Sequence, residues 1–249
     1  MAHVVVVFPG DNPKVITLPE LLRYERPGLT LGLRQCNKGL QTIRSDTGLS
    51  LATPAIFHEV IEAEREGADA IVIDLMGDIS LDACRELVDV PVVGLPKASM
   101  DLATTVGRTF SVVSTMSASE PFMRRAAAAY GYSDRLVSVR NVVLAPGSDY
   151  RSEESVRTLA DCCRKTIMED GADVVVFGSG RLFAVTDLLI EAMGPDVPRV
   201  PFVEPLAAGL AVAAALADAG LRNSRRAYLT PDETVHEWVR ATADPVSGE

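Results

Sequence analysis

Several groups that can exchange a proton or hold an anion follow short apolar runs of this sequence. Asp74 ends the run AIVI, Ser179 lies between two glycines directly after VVVF, and Glu204 follows VPFV. In a parallel sheet, residues that follow strands line the carboxyl edge, where α/β proteins bind their ligands. Burial at such a position could raise the pKa of Asp74 towards the range useful for acid–base catalysis. The pattern predicts a ligand site at this edge.

Further candidates lie in the turns after the remaining strands, and each also has a structural interpretation. Lys97 could serve as a base or as a carboxylate clamp. Backbone N–H groups around Gly178–Gly180, with the helix that follows, would favour a carboxylate or a developing enolate. Ser179 is equally typical of a helix N-cap, and Asp74 and Lys97 could each belong to a structural salt bridge. The remaining candidates, which can also be turn or capping residues, are Asp11, Asp78 and Glu204.

The strands that would position these residues occur twice along the chain. The first half contains EGADAIVIDLMGD at 66–78, and the second half contains DGADVVVFGSGRL at 170–182. A second pair, VPVVGLPKAS from Val90 and VPFVEPLAAG from Val200, follows in the same order. Two further pairs of strand-like runs match at a similar separation. Repeated matches in one order indicate an internal duplication.

Each half is predicted to alternate four strands with three helices. The strands are short, rich in valine and isoleucine and apolar throughout, as expected for a parallel sheet covered on both faces. Pro54 is expected near the start of its helix, Ser119 as an N-cap, and Thr230 and Pro231 at the start of the last helix. The helices are predicted over 52–67, 119–131, 152–171, 205–220 and 230–243.

The predicted fold class is α/β, with two pseudo-symmetric lobes that each contain a mainly four-stranded parallel sheet flanked by helices. We expect an N-terminal lobe over 1–105 and a C-terminal lobe over 106–209, with the helices of 210–249 packing back on the first lobe. The turns after equivalent strands would then converge on a cleft between the lobes. Alignment of the repeats sets Leu75 opposite Ser179, where two groups could act on opposite faces of one carbon.

Composition excludes several other classes of function. The formal net charge of −10 argues against binding to nucleic acid, which needs clustered lysine and arginine. No segment reaches the roughly 18 consecutive apolar residues of a membrane span, and the first residues form a strand-like run rather than a secretory signal. We therefore expect a cytoplasmic protein that binds neither nucleic acid nor membranes.

Metal and nucleotide cofactors are not expected either. The three histidines are scattered and the four cysteines form no CxxC pair, so no metal-ligand spacing is present. Glycine-rich motifs for dinucleotides or for nucleotide phosphates are missing. Cys162 and Cys163 are adjacent within a predicted helix, where at least one should pack in the core.

The chain resembles the aspartate/glutamate/hydantoin racemase superfamily, most closely its hydantoin racemase branch, over nearly its whole length. The resemblance is carried by EGADAIVI with LDACRELVDVPVVG (66–94), FSVVST (110–115), YGYSDRLVSVR (130–140), DGADVVVFG (170–178), VPFVEPLAAGLA (200–211) and GLRNSRRAYLTP (220–231). It implies cofactor-independent proton chemistry on a carbon next to a carboxyl or carbonyl group, carried out in the family by two cysteines that flank the substrate. Relatives of this type commonly form homo-oligomers.

This sequence departs from the family pattern at both cysteine positions. Leu75 occupies the first and Ser179 the second. Leucine exchanges no proton, and a serine hydroxyl is far less acidic than a thiol with its ordinary pKa of about 8.5. The resemblance also places Ser114 and Thr115 in a turn that binds the substrate carboxylate. Non-thiol acid–base groups would have to replace the cysteines, with Asp74 and Lys97 as the main candidates.

Three functions follow from these observations and stay open at this level. The first is a cofactor-independent enzyme that acts on a small carboxylate, amino-acid derivative or hydantoin-like ring through an enolate-type intermediate. The second is a decarboxylase, lyase or cis–trans isomerase of the same superfamily. The third is a catalytically silent homologue that binds a ligand. We expect Asp74, Ser179 and Lys97 to be catalytic, and the substrate-binding positions to be Asp11, Leu75, Ser114, Thr115, Gly178, Gly180 and Glu204.

Overall fold

Two four-stranded sheets with the same strand order organise the chain. The structure is a computed structural model that describes residues 1–10, 17–36, 40, 43, 45–78, 80–116, 119–145, 148–182 and 185–243. Its contacts divide the chain into a first unit of Met1–Gly94 with Gly209–Glu249 and a second unit of Leu95–Ala208. The second unit thus begins at Leu95, whereas the sequence predicts a boundary after residue 105.

The first sheet is parallel throughout and has the order β2-β1-β3-β4. Its strands are β1 (Ala2–Phe8), β2 (Leu29–Gln35), β3 (Ala70–Ile73) and β4 (Val92–Gly94). The helices of this unit are α1 (Leu18–Leu21), α2 (Asp46–Arg65) and α3 (Leu81–Leu87), and α9 (Glu233–Ala243) near the C-terminus. One buried cluster joins strands and helices, with Val5 and Ile71 packed against Ile56 and Cys84.

The second sheet repeats this arrangement with the order β6-β5-β7-β8, again in parallel. Its strands are β5 (Phe110–Ser114), β6 (Leu136–Asn141), β7 (Val174–Phe177) and β8 (Phe202–Val203). Its helices are α4 (Leu95–Val106), α5 (Ser119–Ala129), α6 (Glu153–Met168) and α7 (Thr186–Met193). The unit boundary falls within α8 (Pro205–Asp218). The expected α/β class, with two four-stranded parallel sheets flanked by helices, is confirmed.

The repeated Gly-Ala-Asp motif has the same structural role in both units. Gly67 and Gly171 have φ values of +96° and +70°, which glycine adopts without strain after a helix. The alanine that follows is buried in each case. The Asp69 carboxylate accepts a hydrogen bond from the His3 N–H at 2.8 Å, and that of Asp173 accepts from the N–H groups of Arg108 and Thr109. The motif therefore ties the end of a helix to the start of a central strand.

The predicted start of the second helix is wrong. α2 begins at Asp46, because the Ser45 hydroxyl accepts a hydrogen bond from the Gly48 N–H at 3.0 Å and caps the helix there. Pro54 consequently lies inside the helix, where it cannot donate to the carbonyl of Ser50. Since Ser50 is exposed, water can satisfy that carbonyl, and the helix continues through the proline.

The last helix also begins later than predicted. α9 starts at Glu233 rather than at Thr230 and Pro231. The Asp232 carbonyl accepts the Val235 N–H at 2.9 Å, so the first turn closes there. In α6, by contrast, the Ser152 hydroxyl accepts a hydrogen bond from the Ser155 N–H, so the helix starts within one residue of its predicted beginning at 152. None of the helices in the described part of the chain is long and apolar enough to cross a bilayer.

Candidate active site

Asp74 is a buried carboxylate at the carboxyl end of β3. Its backbone N–H donates to the Val7 carbonyl at 2.9 Å, which fixes the residue beside the end of the neighbouring strand β1. Its side chain has no hydrogen-bond partner among the described residues, and only 8% of the residue is exposed. Burial raises the pKa of this carboxyl group from about 3.8 to about 6, because the charged form loses its hydration. Asp74 can therefore both accept and donate a proton near neutral pH.

The turn after β3 brings a second carboxylate against the neighbouring strand. Asp78 has a φ of +38° and Ser80 a φ of +62°, a left-handed conformation that costs energy in residues other than glycine. The Asp78 carboxylate occupies the space that a Cβ at position 94 would need. Gly94 ends β4, so the carboxylate lies over the carboxyl edge of the first sheet. Ser80 occupies the N-cap position of α3 but makes no capping hydrogen bond with its side chain, and its hydroxyl contacts that of Thr53 at 3.1 Å.

In the second unit, Ser114 ends β5 and is fully buried. Its hydroxyl donates to the Gly178 carbonyl at 3.3 Å and accepts the Met116 N–H at 3.1 Å. The Gly178 N–H donates in turn to the Val113 carbonyl at 2.8 Å. A Cβ at position 178 would lie 2.5 Å from the Ser114 Cβ. The two strand ends are therefore held together, and the Ser114 hydroxyl is engaged with the protein itself.

The turn that contains Ser179 differs from the sequence prediction. Gly180–Leu182 form a 3₁₀ turn in which the Leu182 N–H donates to the Ser179 carbonyl at 3.2 Å. The α-helix begins only at Thr186, with Val185 as its N-cap. Ser179 therefore precedes a single 3₁₀ turn rather than the α-helix that the sequence suggested, and the amides closest to it belong to that turn. Ser179 and Gly180 are half-buried, and Gly178 is buried.

Glu204 follows β8 at the same edge of the second sheet. Its carboxylate accepts a hydrogen bond from the Thr186 hydroxyl at 2.7 Å, and its carbonyl accepts the Ala208 N–H at 2.9 Å. The residue thus links the start of α7 to the start of α8. Ser114, Gly178 and Glu204 lie at the carboxyl ends of β5, β7 and β8. These three strands are adjacent, because the strand order is β6-β5-β7-β8.

Lys97 lies in a helix rather than in the turn that the sequence predicted. β4 passes directly into α4 at Leu95, so residues 95–99 form the first turns of that helix. The Lys97 ammonium group donates to both carboxylate oxygens of Asp101, at 2.8 and 2.7 Å. The Tyr132 hydroxyl donates to the same carboxylate at 2.7 Å, and the ammonium group lies 5.6 Å from the centre of the Tyr130 ring.

The remaining candidate residues have simpler environments. Leu75 is half-buried and packs on the core of the first unit, and its N–H donates to the Ile73 carbonyl at 2.9 Å. Thr115 is half-buried next to Ser114. Asp11 lies outside the described residues. Groups of three or more side chains able to hold a metal ion are not found in the part of the chain that the structure describes.

All four cysteines are free thiols outside the turns after β3 and β7. Burial raises the pKa of Cys36, Cys84 and Cys163 to about 12 in each case, and that of Cys162 is raised as well. At neutral pH these side chains are therefore protonated and poor nucleophiles. Cys163 is buried in the core of the second unit, as expected for one member of the adjacent pair.

The hydrogen-bond and ion-pair partners of Lys97, Glu204 and Ser114 were not predicted from the sequence. Asp101 lies four residues after Lys97, and this helical spacing could have revealed the ion pair. Tyr132 and Thr186 reach Asp101 and Glu204 across long separations in sequence, and no local pattern marks them. The hydrogen bond from Ser114 to Gly178 likewise joins residues that follow different strands.

The fold and the candidate residues define a duplicated parallel α/β protein with polar groups at the carboxyl edge of each sheet. The chain belongs to the Asp/Glu/hydantoin racemase family, whose model matches residues 21–213. The resemblance noted in the sequence is thereby confirmed.

Individual relatives agree with this assignment. The hydantoin racemase of Paenarthrobacter aurescens is 31% identical over 200 residues, which cover 79% of this chain and 83% of that protein. The allantoin racemase from Klebsiella pneumoniae superimposes with a TM-score of 0.82 at 23% identity, covering 93% of this chain and 94% of that one. Arylmalonate decarboxylase has a TM-score of 0.61 at 16% identity, covering 88% of this chain and 93% of that one. At these identities, the two structures establish a shared fold.

Proposed function

We propose that this chain is a cofactor-independent enzyme that transfers a proton at a carbon next to a carboxylate or carbonyl group, with Asp74 as its principal acid–base group. One observation carries the proposal. Asp74 is a buried carboxyl group at the end of a central strand, and its pKa is raised to about 6. A general acid or base is most effective when its pKa lies near the working pH.

The substrate that suits this chemistry is a small carboxylate, an amino-acid derivative or a hydantoin-like ring. Loss of a proton from such a carbon forms an enolate-type intermediate, whose negative charge needs hydrogen-bond donors. The N–H groups of Gly178 and Leu182 are already bound to the carbonyls of Val113 and Ser179, so the donor role falls to the amides of Gly180 and Arg181. The name of the hydantoin racemase relative supports a ring of that type as the first substrate to test.

In racemisation, Asp74 would act first as a base. Its carboxylate would take the α-proton, and a second group would return a proton to the opposite face of the carbon. Ser179 and Lys97 are the candidates for that second group. Lys97 would have to leave its ion pair with Asp101, whereas the Ser179 hydroxyl would need a partner that accepts its proton. Racemisation therefore requires the deprotonated form of Asp74, and its rate should rise with pH through about 6.

A decarboxylase is the second candidate, and it is favoured by the side chains next to Asp74. Breakage of the bond between a carbon and a carboxylate releases CO₂ and leaves a carbanion, which needs one proton on one face. Protonated Asp74 could supply that proton, and the adjacent Leu75 packs on the core and exchanges none. The rate of this reaction should fall as pH rises through about 6, since the acid form is lost.

The test is proton NMR in D₂O with the purified chain and a panel of 5-substituted hydantoins, amino acids and 2-substituted malonates. Loss of the α-proton signal would indicate proton exchange, and a new product that carries deuterium at its α-carbon, with release of CO₂, would indicate decarboxylation. The slope of the rate against pH between 5 and 8 distinguishes the two mechanisms. Asp74→Asn should abolish either reaction, whereas Asp161→Asn, an exposed residue of α6, should leave the rate unchanged.

Two outcomes would overturn the proposal. Full activity of the Asp74→Asn chain would exclude this carboxyl group as the acid–base group. Binding of several compounds without any reaction would favour the catalytically silent homologue that binds a ligand.

A further inference from the structure

An open cavity of about 550 Å³ lies at the amino edge of the second sheet, where β5 and β7 begin. This edge is opposite to the one that carries Ser114 and Ser179 within the same unit. Apolar side chains of α4, α6 and the segment before β8 form part of its lining, including Val106, Ile167 and Val200. Val106 is 58% exposed although it is a large apolar residue. Cavities of this volume accommodate small ligands.

Two exposed arginines, Arg108 and Arg199, line the same cavity. Neither guanidinium group makes a hydrogen bond or a direct ion pair among the described residues, although the charge of Arg108 helps to lower the pKa of the Asp173 carboxyl group. Many other arginines of this acidic chain, such as Arg34, Arg140 and Arg225, are paired with carboxylates. A guanidinium group that is exposed and makes no direct ion pair is well suited to a bidentate contact with a phosphate or carboxylate.

The carboxylate in the lining does not neutralise the pair. Asp173 accepts hydrogen bonds from the N–H groups of Thr109 at 3.0 Å and Arg108 at 2.9 Å. These bonds hold the pKa of its carboxyl group below the usual range, so it stays charged and turned towards the backbone. Gly107 permits this approach, because a Cβ there would lie 2.5 Å from a methyl group of Val174. Two guanidinium groups and one engaged carboxylate leave the cavity with a net positive charge.

At the equivalent position in the first unit, a charged residue is covered by a segment of opposite charge. The repeat aligns Val90 with Val200 and therefore Asp89 with Arg199. In the first unit, Arg225 of the C-terminal segment donates to the Asp89 carboxylate at 2.7 Å, and the Asn223 N–H donates to the Asp89 carbonyl at 2.8 Å. A basic segment thus covers an acidic residue. In the second unit the charge is reversed, and the described residues there supply no acidic counterpart of Arg225.

We propose that this cavity binds a small organic anion, with a phosphate or carboxylate group on Arg108 and Arg199 and an apolar portion against Val106 and Ile167. The site is independent of the proposed reaction, because it uses none of the residues assigned to proton transfer. It takes amphiphilic anions rather than inorganic ones, since the arginines and the apolar wall contribute together.

The test is a titration of the full ¹⁵N-labelled chain with phenyl phosphate, followed by ¹H–¹⁵N NMR, with inorganic phosphate and phenol as separate probes. The amide signals of Gly107, Arg108, Gly171 and Ala172 should shift in a saturable manner. Phenyl phosphate should bind at least fivefold more tightly than inorganic phosphate. Equal affinity of the two anions would overturn the role of the apolar wall. Shifts confined to the turns at Ser114 and Ser179, or none, would overturn the site.

Paired variants separate specific contacts from overall charge. Arg108→Gln with Arg199→Gln should weaken phenyl phosphate binding at least tenfold. Arg222→Gln with Arg226→Gln removes the same charge from exposed residues of the first unit and should leave the affinity within twofold of the wild-type value. An equal loss in both double variants would show a general electrostatic effect and would refute the assigned contacts. Because the four arginines are exposed, the amide spectra should otherwise match that of the wild type.

Discussion

Replacement of Asp74 by asparagine should make the protein more stable while it removes the proposed acid–base group. The pKa of this carboxyl group is about 3.8 ordinarily and about 6 in the folded chain. The folded state therefore binds its proton more tightly than the unfolded state, and stability falls as pH rises between about 4 and 6. Above pH 6 the buried carboxylate is charged, and it destabilises the fold by a constant amount. Asparagine has nearly the same shape and carries no charge at any pH.

The magnitude follows from the two pKa values. Each tenfold change in proton affinity corresponds to about 1.4 kcal/mol, so a rise from 3.8 to about 6 corresponds to about 3 kcal/mol. The Asp74→Asn chain should exceed the wild type in free energy of unfolding by up to about 3 kcal/mol at pH 8, and by roughly half of that at pH 5. For a chain of this size the difference at pH 8 amounts to roughly 6–12 °C in Tm.

The assay is urea and thermal unfolding of both chains, followed by circular dichroism at several pH values from 4.5 to 8. Groups that titrate identically in the two chains cancel in the difference, which isolates position 74. Asp161→Asn makes the same chemical change at an exposed position of α6 and provides the matched control. A stability difference between Asp74→Asn and wild type that stays constant over this range would refute the raised pKa. Lower stability of the variant at pH 8 would also refute it.

Three further predictions concern packing and thiol reactivity. Gly178→Ala should lower the free energy of unfolding by about 1–3 kcal/mol in urea denaturation, because its Cβ would lie 2.5 Å from that of Ser114. Asn223→Ala should lower the stability of the first unit by about 1–3 kcal/mol in thermal denaturation, because its side-chain amide donates to three backbone carbonyls around the end of α3. Iodoacetamide at pH 8 should modify Cys162, which is half-buried, well before the three buried thiols, without loss of activity, as peptide mass spectrometry and rate measurements would show.

Specific results would contradict each of these predictions. Wild-type stability of the Gly178→Ala chain would show that the ends of β5 and β7 can move apart. Ser224→Ala removes an exposed hydroxyl next to Asn223 and should have little effect on Tm. An equal loss of Tm in the Asn223→Ala and Ser224→Ala chains would show that the hydrogen bonds of the Asn223 side chain do not account for the effect. Rapid modification of Cys36 in the native chain, with inactivation, would indicate that a thiol takes part in the reaction.

The architecture and the family of this protein could be predicted from its amino-acid sequence. Short apolar strands alternate with helical segments, and in a chain with this periodicity both faces of each sheet must be covered. The duplication is visible in the sequence because the Gly-Ala-Asp motif has the same local roles twice. Its glycine adopts a left-handed conformation after a helix, and its aspartate carboxylate accepts hydrogen bonds from backbone N–H groups at the start of a neighbouring strand. The position of Asp74 at the end of an apolar run indicated that burial could raise the pKa of its carboxyl group, but a salt bridge there remained possible until the structure showed its surroundings.

The contacts of the other candidate side chains depend on the three-dimensional fold and could not be predicted from the sequence. Ser114 donates to Gly178 on a neighbouring strand, and Lys97 shares Asp101 with Tyr132. The cavity with Arg108 and Arg199 likewise brings together the ends of elements that are far apart in the chain. Periodicity reports which face of an element is buried, because burial depends on local spacing. The partner of a polar group depends instead on how strands from distant parts of the chain are placed side by side, and local spacing carries no information about that.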